Sequence, residues 1–125
     1  MKKKAGLVLL LVAVVAVLAF ASERVSFRVT GNGQFGEVPE GIQVNWVEYG
    51  SFGGYVNYTV TGNVDSLKIV LTLTYTNIWG THTTSRSNNE SWISKGKTYT
   101  AKFPGFSSNL NVTGAEVTLE NVVYK

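Results

Sequence analysis

Side chains able to do acid, base or nucleophilic work are few and scattered in this sequence: one histidine (His82), one aspartate (Asp65), seven glutamates and no cysteine. Catalysis needs such groups to converge on one reacting atom. A lone histidine completes neither a metal-ligand pair nor a nucleophile triad, and His82 stands in a polar Thr81-His-Thr-Thr84 row that reads as a solvated strand. Glu37 and Glu40 flank Pro39 and carry the oxygen ligands calcium takes, yet two loop carboxylates are more simply solvated charges. Gly31-x-Gly33 leads into no helix, so it makes no phosphate cradle. The expectation is a protein without metal, cofactor or enzymatic activity.

Two other kinds of chemistry are written more clearly. Asn57-Tyr-Thr59, Asn89-Glu-Ser91 and Asn111-Val-Thr113 all fit the N-x-[ST] glycan acceptor pattern. Asn89 falls in the most polar stretch, read as a loop, while Asn57 and Asn111 fall in expected strands and must face outward to be used. Trp79, in the Asn77-Ile-Trp-Gly80 turn, and Phe52, among glycines, have no strand phase to bury them. Trp79 either caps the end of a core or offers a flat apolar surface to a sugar or a partner; Trp46 and Trp92 read as core.

These groups must be positioned by whatever the rest of the chain builds. Lys2, Lys3 and Lys4 precede an apolar stretch from Ala5 to Ala21 that ends Ala19-Phe20-Ala21, a basic region, apolar run and small-residue cut site in the order of a secretory signal peptide. Cleavage after Ala21 is the leading reading. Seventeen apolar residues also sit at the short limit for crossing a bilayer, so a retained anchor stays open, as does a pilin-type cut near Gly6 that would keep the apolar helix. The domains expected are therefore 1–21, leader or anchor, and 22–125, one folded body, with 24–36 as an exchangeable amino-terminal strand and hinge.

The formal charge of +3 equals the three leader lysines, so the body carries eight basic and eight acidic residues. It has no basic face for nucleic acid. Export without cysteine means a fold held by its apolar core, by partners, or by both.

From Arg24 onward the pattern alternates at period two, interrupted by glycine and asparagine clusters, which predicts an all-β fold. Val25, Phe27 and Val29 make one face of a first strand, with Gly31 to Gly36 a flexible break behind it. Ile42, Val44 and Trp46 share a face of the second, and Tyr55 to Thr61 form a third. Leu67, Ile69, Leu71, Leu73 and Tyr75 line the inner face of a strand expected at the centre of the core. Thr81 to Ser87 read as a polar edge strand; Trp92 and Ile93 return to the core, and Tyr99, Ala101 and Phe103 alternate in the next strand. Leu110 to Thr113 and Ala115 to Tyr124 read as a last pair, whose apolar phase slips between Leu119 and Val122 as at a bulge. Seven or eight short antiparallel strands predict an immunoglobulin-like β-sandwich, preceded by the amino-terminal hydrophobic helix or signal peptide.

Val60-Thr-Gly-Asn63, the run Leu67-Lys-Ile-Val-Leu-Thr-Leu-Thr-Tyr75, Gly80, and Ser94-Lys-Gly-Lys97 with Phe103 resemble the FxLYD type of envelope-associated sandwich domain across roughly residues 55 to 106. The aspartate such domains carry just after the tyrosine is replaced here by Thr76 or Asn77. The order of leader, alternating arm, glycine hinge and sandwich also resembles surface-filament subunits that polymerise by donated strands, archaeal and TasA-like. That architecture implies a non-enzymatic, secreted or cell-surface subunit whose partner is itself, joined through Val25, Phe27 and Val29. A carbohydrate- or ligand-binding module using Trp79 and Phe52, and a type IV pilin-like subunit retaining its helix, are the alternatives. Contact with membrane is expected only through residues 5–21 if they remain.

Overall fold

The structure, a computed structural model, describes residues 22–32 and 36–125. Residues 1–21 and 33–35 lie outside them, and so do the signal-peptide, anchor and pilin readings. The described chain is all β. Eight strands run in order β1 (Glu23–Val25), β2 (Phe27–Gly31), β3 (Ile42–Gly50), β4 (Gly53–Val60), β5 (Val64–Asn77), β6 (Gly80–Ser91), β7 (Thr98–Phe103) and β8 (Asn111–Tyr124). They form two four-stranded sheets, β1-β3-β4-β7 and β2-β8-β5-β6.

Leu67, Ile69, Leu71 and Leu73 of β5 are buried, as their alternation predicts, and β5 lies inside its sheet between β8 and β6. Facing them across the sandwich are Val56, Tyr58 and Val60 of β4, Val47 of β3, and Ala101 and Phe103 of β7, with Val117 and Leu119 alongside from β8. Each large side chain removed from water contributes roughly 1.5–3 kcal/mol. Tyr75, at the upper end of β5, is only half-buried.

The structure corrects the sequence reading at five places. The first strand is two: Arg24 pairs with Glu48 in one sheet, and after Ser26 the chain crosses so that Phe27 pairs with Ala115 in the other. The second of these pairings is parallel, so the sheets are not wholly antiparallel. In β3 an extra residue at Asn45 lets Val44 face Tyr58 and Trp46 face Asn57. This bulge reverses the alternation, bringing Val47 and Tyr49 inward and turning Trp46 out of the core, where the Arg24 guanidinium lies 4.2 Å from its ring centroid.

Trp92 is likewise not core: it is 94% exposed, because its φ of 59° swings the chain and delivers only Ile93 inward. Asn89 lies within β6, opposite Lys68, and not in a loop. The last pair of strands is one strand, β8, continuous for 14 residues. The bulge expected after Leu119 is there: three residues of β5, Ser66 to Lys68, face four of β8, Val123 back to Glu120, around Asn121 with its φ of 50°.

Candidate functional site

The two ends of the sandwich are chemically different, and strand direction sets which side chains reach each. β5 climbs from Val64 to Asn77, turns through Ile78 and Trp79, and β6 descends to Ser91 opposite Ser66. The β3–β4 hairpin turns at Ser51 and Phe52. Both tips lie at one end of the molecule. Tyr49, Gly50 and Ser51 share a cleft with Asn109 and Leu110, and the next residue, Asn111, pairs with Thr76 just below the β5–β6 tip. The opposite end carries Trp92, Tyr124 and the Gly41–Gly62 approach.

At the tip end Ile78 is 90% exposed and Trp79 80%, and Phe52 of the neighbouring turn is 63% exposed. The core-cap reading of Trp79 is thus corrected in favour of presentation. The tip is built to hold its shape. Asn77 Oδ1 accepts the Trp79 backbone N–H at 2.8 Å and lies 3.1 Å from His82 Nε2, an asparagine turn of the kind that fixes tight loops. His82 also packs beside Tyr75, ring centroids 5.5 Å apart. His82, whose polar row reads as a solvated strand, instead supports the tip, and its spacing of five from Asn77 is the signal of that support. On the facing hairpin, Gly53 has φ of 120°, and a Cβ there would meet Phe103 O at 2.5 Å, so only glycine lets the turn close against β7.

Tyr49 ties the end together. Its hydroxyl donates to Ser107 O and accepts from the Leu110 N–H at 3.1 Å, fastening the long β7–β8 connection over β3. Arg86 does the same from the other sheet, donating to Gly105 O at 2.8 Å while its guanidinium lies 5.3 Å from the Phe106 ring.

The arm, β1 and β2, is folded back onto its own sandwich. Val25, Phe27 and Val29 are half-buried against the core, and Ala115 N–H donates to Ser26 O at 2.9 Å where the strand changes sheet. On the outer face Arg28 donates to Glu116 Oε2 through Nη2 at 2.8 Å and Nε at 3.1 Å, and Thr30 donates to Glu116 Oε1 at 3.0 Å. These bonds from Arg28 and Thr30 hold the Glu116 carboxyl below the usual glutamate range. The glycine break behind the arm is tied at its described ends: Gly31 N–H donates to Gly36 O at 3.0 Å.

The three sequon asparagines are separated. Asn57 lies on the outer face of β4, accepting from Asn45 and donating to Thr100 at 3.0 Å. Asn89 is exposed on β6, and Asn111 is exposed at the start of β8, donating to Thr76. Deeper in, Tyr58 donates to Glu90 Oε1 at 2.6 Å; burial first, and the bond to Glu90 second, push the Tyr58 phenol far above its ordinary value, which makes it a permanent structural donor. Among the described residues no three acidic, histidine or cysteine side chains gather as metal ligands, and no helix is long and apolar enough to cross a membrane.

No family model, curated protein or solved structure matches the chain.

Proposed function

We propose that this chain is an exported, non-enzymatic interaction module of the cell surface, an immunoglobulin-like sandwich that works by contact. The supporting observation is the apolar β5–β6 tip: Ile78 and Trp79 stand exposed on a braced hairpin, beside the partly exposed Phe52 of the β3–β4 turn. Tryptophan on a preorganised turn loses little conformational freedom when a partner covers it, so it makes an efficient anchor. The FxLYD-type resemblance agrees with such an envelope role. The test is binding of the labelled protein to isolated cell envelopes. A Trp79→Ser/Ile78→Ser double variant should bind about tenfold more weakly at unchanged melting temperature; equal binding of variant and parent would defeat the proposal.

A second reading, self-assembly by strand exchange, rests on β2. It is a five-residue edge strand in parallel pairing, the weaker kind per residue, and the arm of a neighbouring copy offers the same Val25, Phe27 and Val29 to the same groove. Size-exclusion and electron microscopy distinguish it: fibres that vanish when Arg24–Thr30 are deleted support it, and a monomer at every concentration rules it out.

A further inference from the structure

We propose that the end of the sandwich opposite the Ile78–Trp79 tip is a second binding site, built around Trp92 and the cleft beside it, and that its ligand is a neutral oligosaccharide. The argument starts from an outlier. Trp92 holds φ of 59°, a left-handed conformation that bulky side chains avoid, and its side chain is 94% exposed. A ring so exposed buries too little apolar area to offset either the backbone strain or its own contact with water. Glycine would swing the chain toward the buried Ile93 equally well, so the fold has no need of tryptophan here. Strain that packing does not call for points to function.

The ring stands on a fixed backbone. Ser94 N–H donates to the Tyr99 hydroxyl at 2.9 Å, Lys97 N–H to Ser94 O at 3.1 Å and Gly96 N–H to Val60 O at 2.7 Å, which fastens the turn after Trp92 to β4 and β7. Lys125 then links this turn to the cleft. Its ammonium donates to Ile93 O at 3.3 Å and its backbone N–H to Asn63 O at 3.0 Å. With Glu40, Thr61 and Tyr124, Asn63 and Lys125 line an open cleft of about 350 Å³. Tyr124 pairs with Val64 on one side of β5 and Ser91 with Ser66 on the other, so the strands leading to cleft and ring lie two strand spacings apart, about 10 Å. A short oligosaccharide reaches that far.

The chemistry of the place selects the ligand. A pyranose has an apolar C–H face, which an indole ring covers, and a rim of hydroxyls that donate and accept hydrogen bonds. The cleft supplies groups of both kinds: the Asn63 amide, the Thr61 hydroxyl, the Glu40 carboxylate as acceptor and the Lys125 ammonium as donor. Glu40 and Lys125 carry opposite charges, so the cleft favours a neutral ligand over an ion. A protein partner fits less well, since the core of such an interface is contiguous apolar surface. Trp92 instead stands next to Ser91, Ser94 and Lys95, with Ser66 between its strand and Val123.

The experiment titrates the full chain with neutral gluco-, galacto- and manno-oligosaccharides. In a variant whose only tryptophan is Trp92 (Trp46→Phe, Trp79→Phe), binding should shift the emission to shorter wavelength as sugar replaces water on the ring, and high salt should leave the response unchanged. By calorimetry on the otherwise native chain, Trp92→Gly should weaken binding about tenfold while the melting temperature rises, and Asn63→Ala should weaken it about threefold. Should the single-tryptophan chain fail to fold, calorimetry decides alone. No response to any of these sugars overturns the proposal, as does undiminished binding by Trp92→Gly or binding that high salt abolishes. Trp79→Ser/Ile78→Ser should bind sugar as the parent does; loss of sugar binding in that variant overturns the assignment to Trp92, and its loss of envelope binding alone leaves both sites standing as separate surfaces.

Discussion

At the scale of single residues, two positions carry consequences that can be measured. Trp92 holds a left-handed backbone conformation with its side chain in water. An L side chain there crowds its own carbonyl at a cost of about 1–2 kcal/mol, and glycine avoids this while giving up some of the gain to the greater freedom of the unfolded chain. Trp92→Gly should therefore stabilise the fold by about 1 kcal/mol in urea titration, whereas removal of a true core tryptophan would cost several kcal/mol. Glu116 supplies a pH signature. Its carboxyl titrates lower in the fold than in the unfolded chain because Arg28 and Thr30 bond the charged form, so the stability it contributes is present above about pH 4.5 and drains away as pH falls through the lowered value. Glu116→Gln should flatten that part of the acid limb in pH-dependent thermal melts. The change should be no more than about 1 kcal/mol, since Arg28 is 78% exposed and solvent screens the pair.

At the scale of elements, the long free edge of β6 is the risk this fold has to contain. Twelve residues of β6 have no strand on their outer side, and such an edge invites pairing with another chain. The sequence answers with polar side chains on the face turned toward the sandwich: Arg86 pairs in register with Leu71, Asn88 with Ile69 and Glu90 with Leu67. Charges pointing inward at an edge make continuation of the sheet unfavourable. Arg86→Val should accordingly raise light scattering at high protein concentration, with a modest fall in the monomer's melting temperature from the lost tie to Gly105. Its loss frees Gly105 O to water and not to the core. The turn behind β2 is set as firmly. A Cβ on Gly31 would fall 1.7 Å from Glu37 O, so Gly31→Ala must open the Gly31–Gly36 closure and loosen β2, read as faster amide exchange from Phe27 to Gly31 and from Ala115 to Leu119.

At the scale of the whole molecule, the arm makes the most abrupt crossing between the two sheets among the described residues, from Val25 in one to Phe27 in the other. Deleting Arg24–Thr30 should uncover the edges of β3 and β8 together and cost several kcal/mol, given three half-buried apolar side chains. The deleted protein should recover part of that loss when a peptide of the same sequence is added, because the groove survives. Much of this architecture was legible beforehand. A strict period of two from Leu67 to Leu73 has one low-energy solution, a strand with leucines and isoleucine inside, and the slip after Leu119 could be nothing but a bulge. The amino-acid order by itself thus determined the all-β class, the central strand and the polar edge. Tertiary structure alone decided the fates of the tryptophans and the course of the arm. A bulge at Asn45 inverts every later side chain of β3, a left-handed residue at Trp92 does the same in one step, and a crossing at Ser26 moves a strand between sheets without disturbing its alternation. Local pattern records which residues share a face; only pairing with distant strands fixes which face is covered.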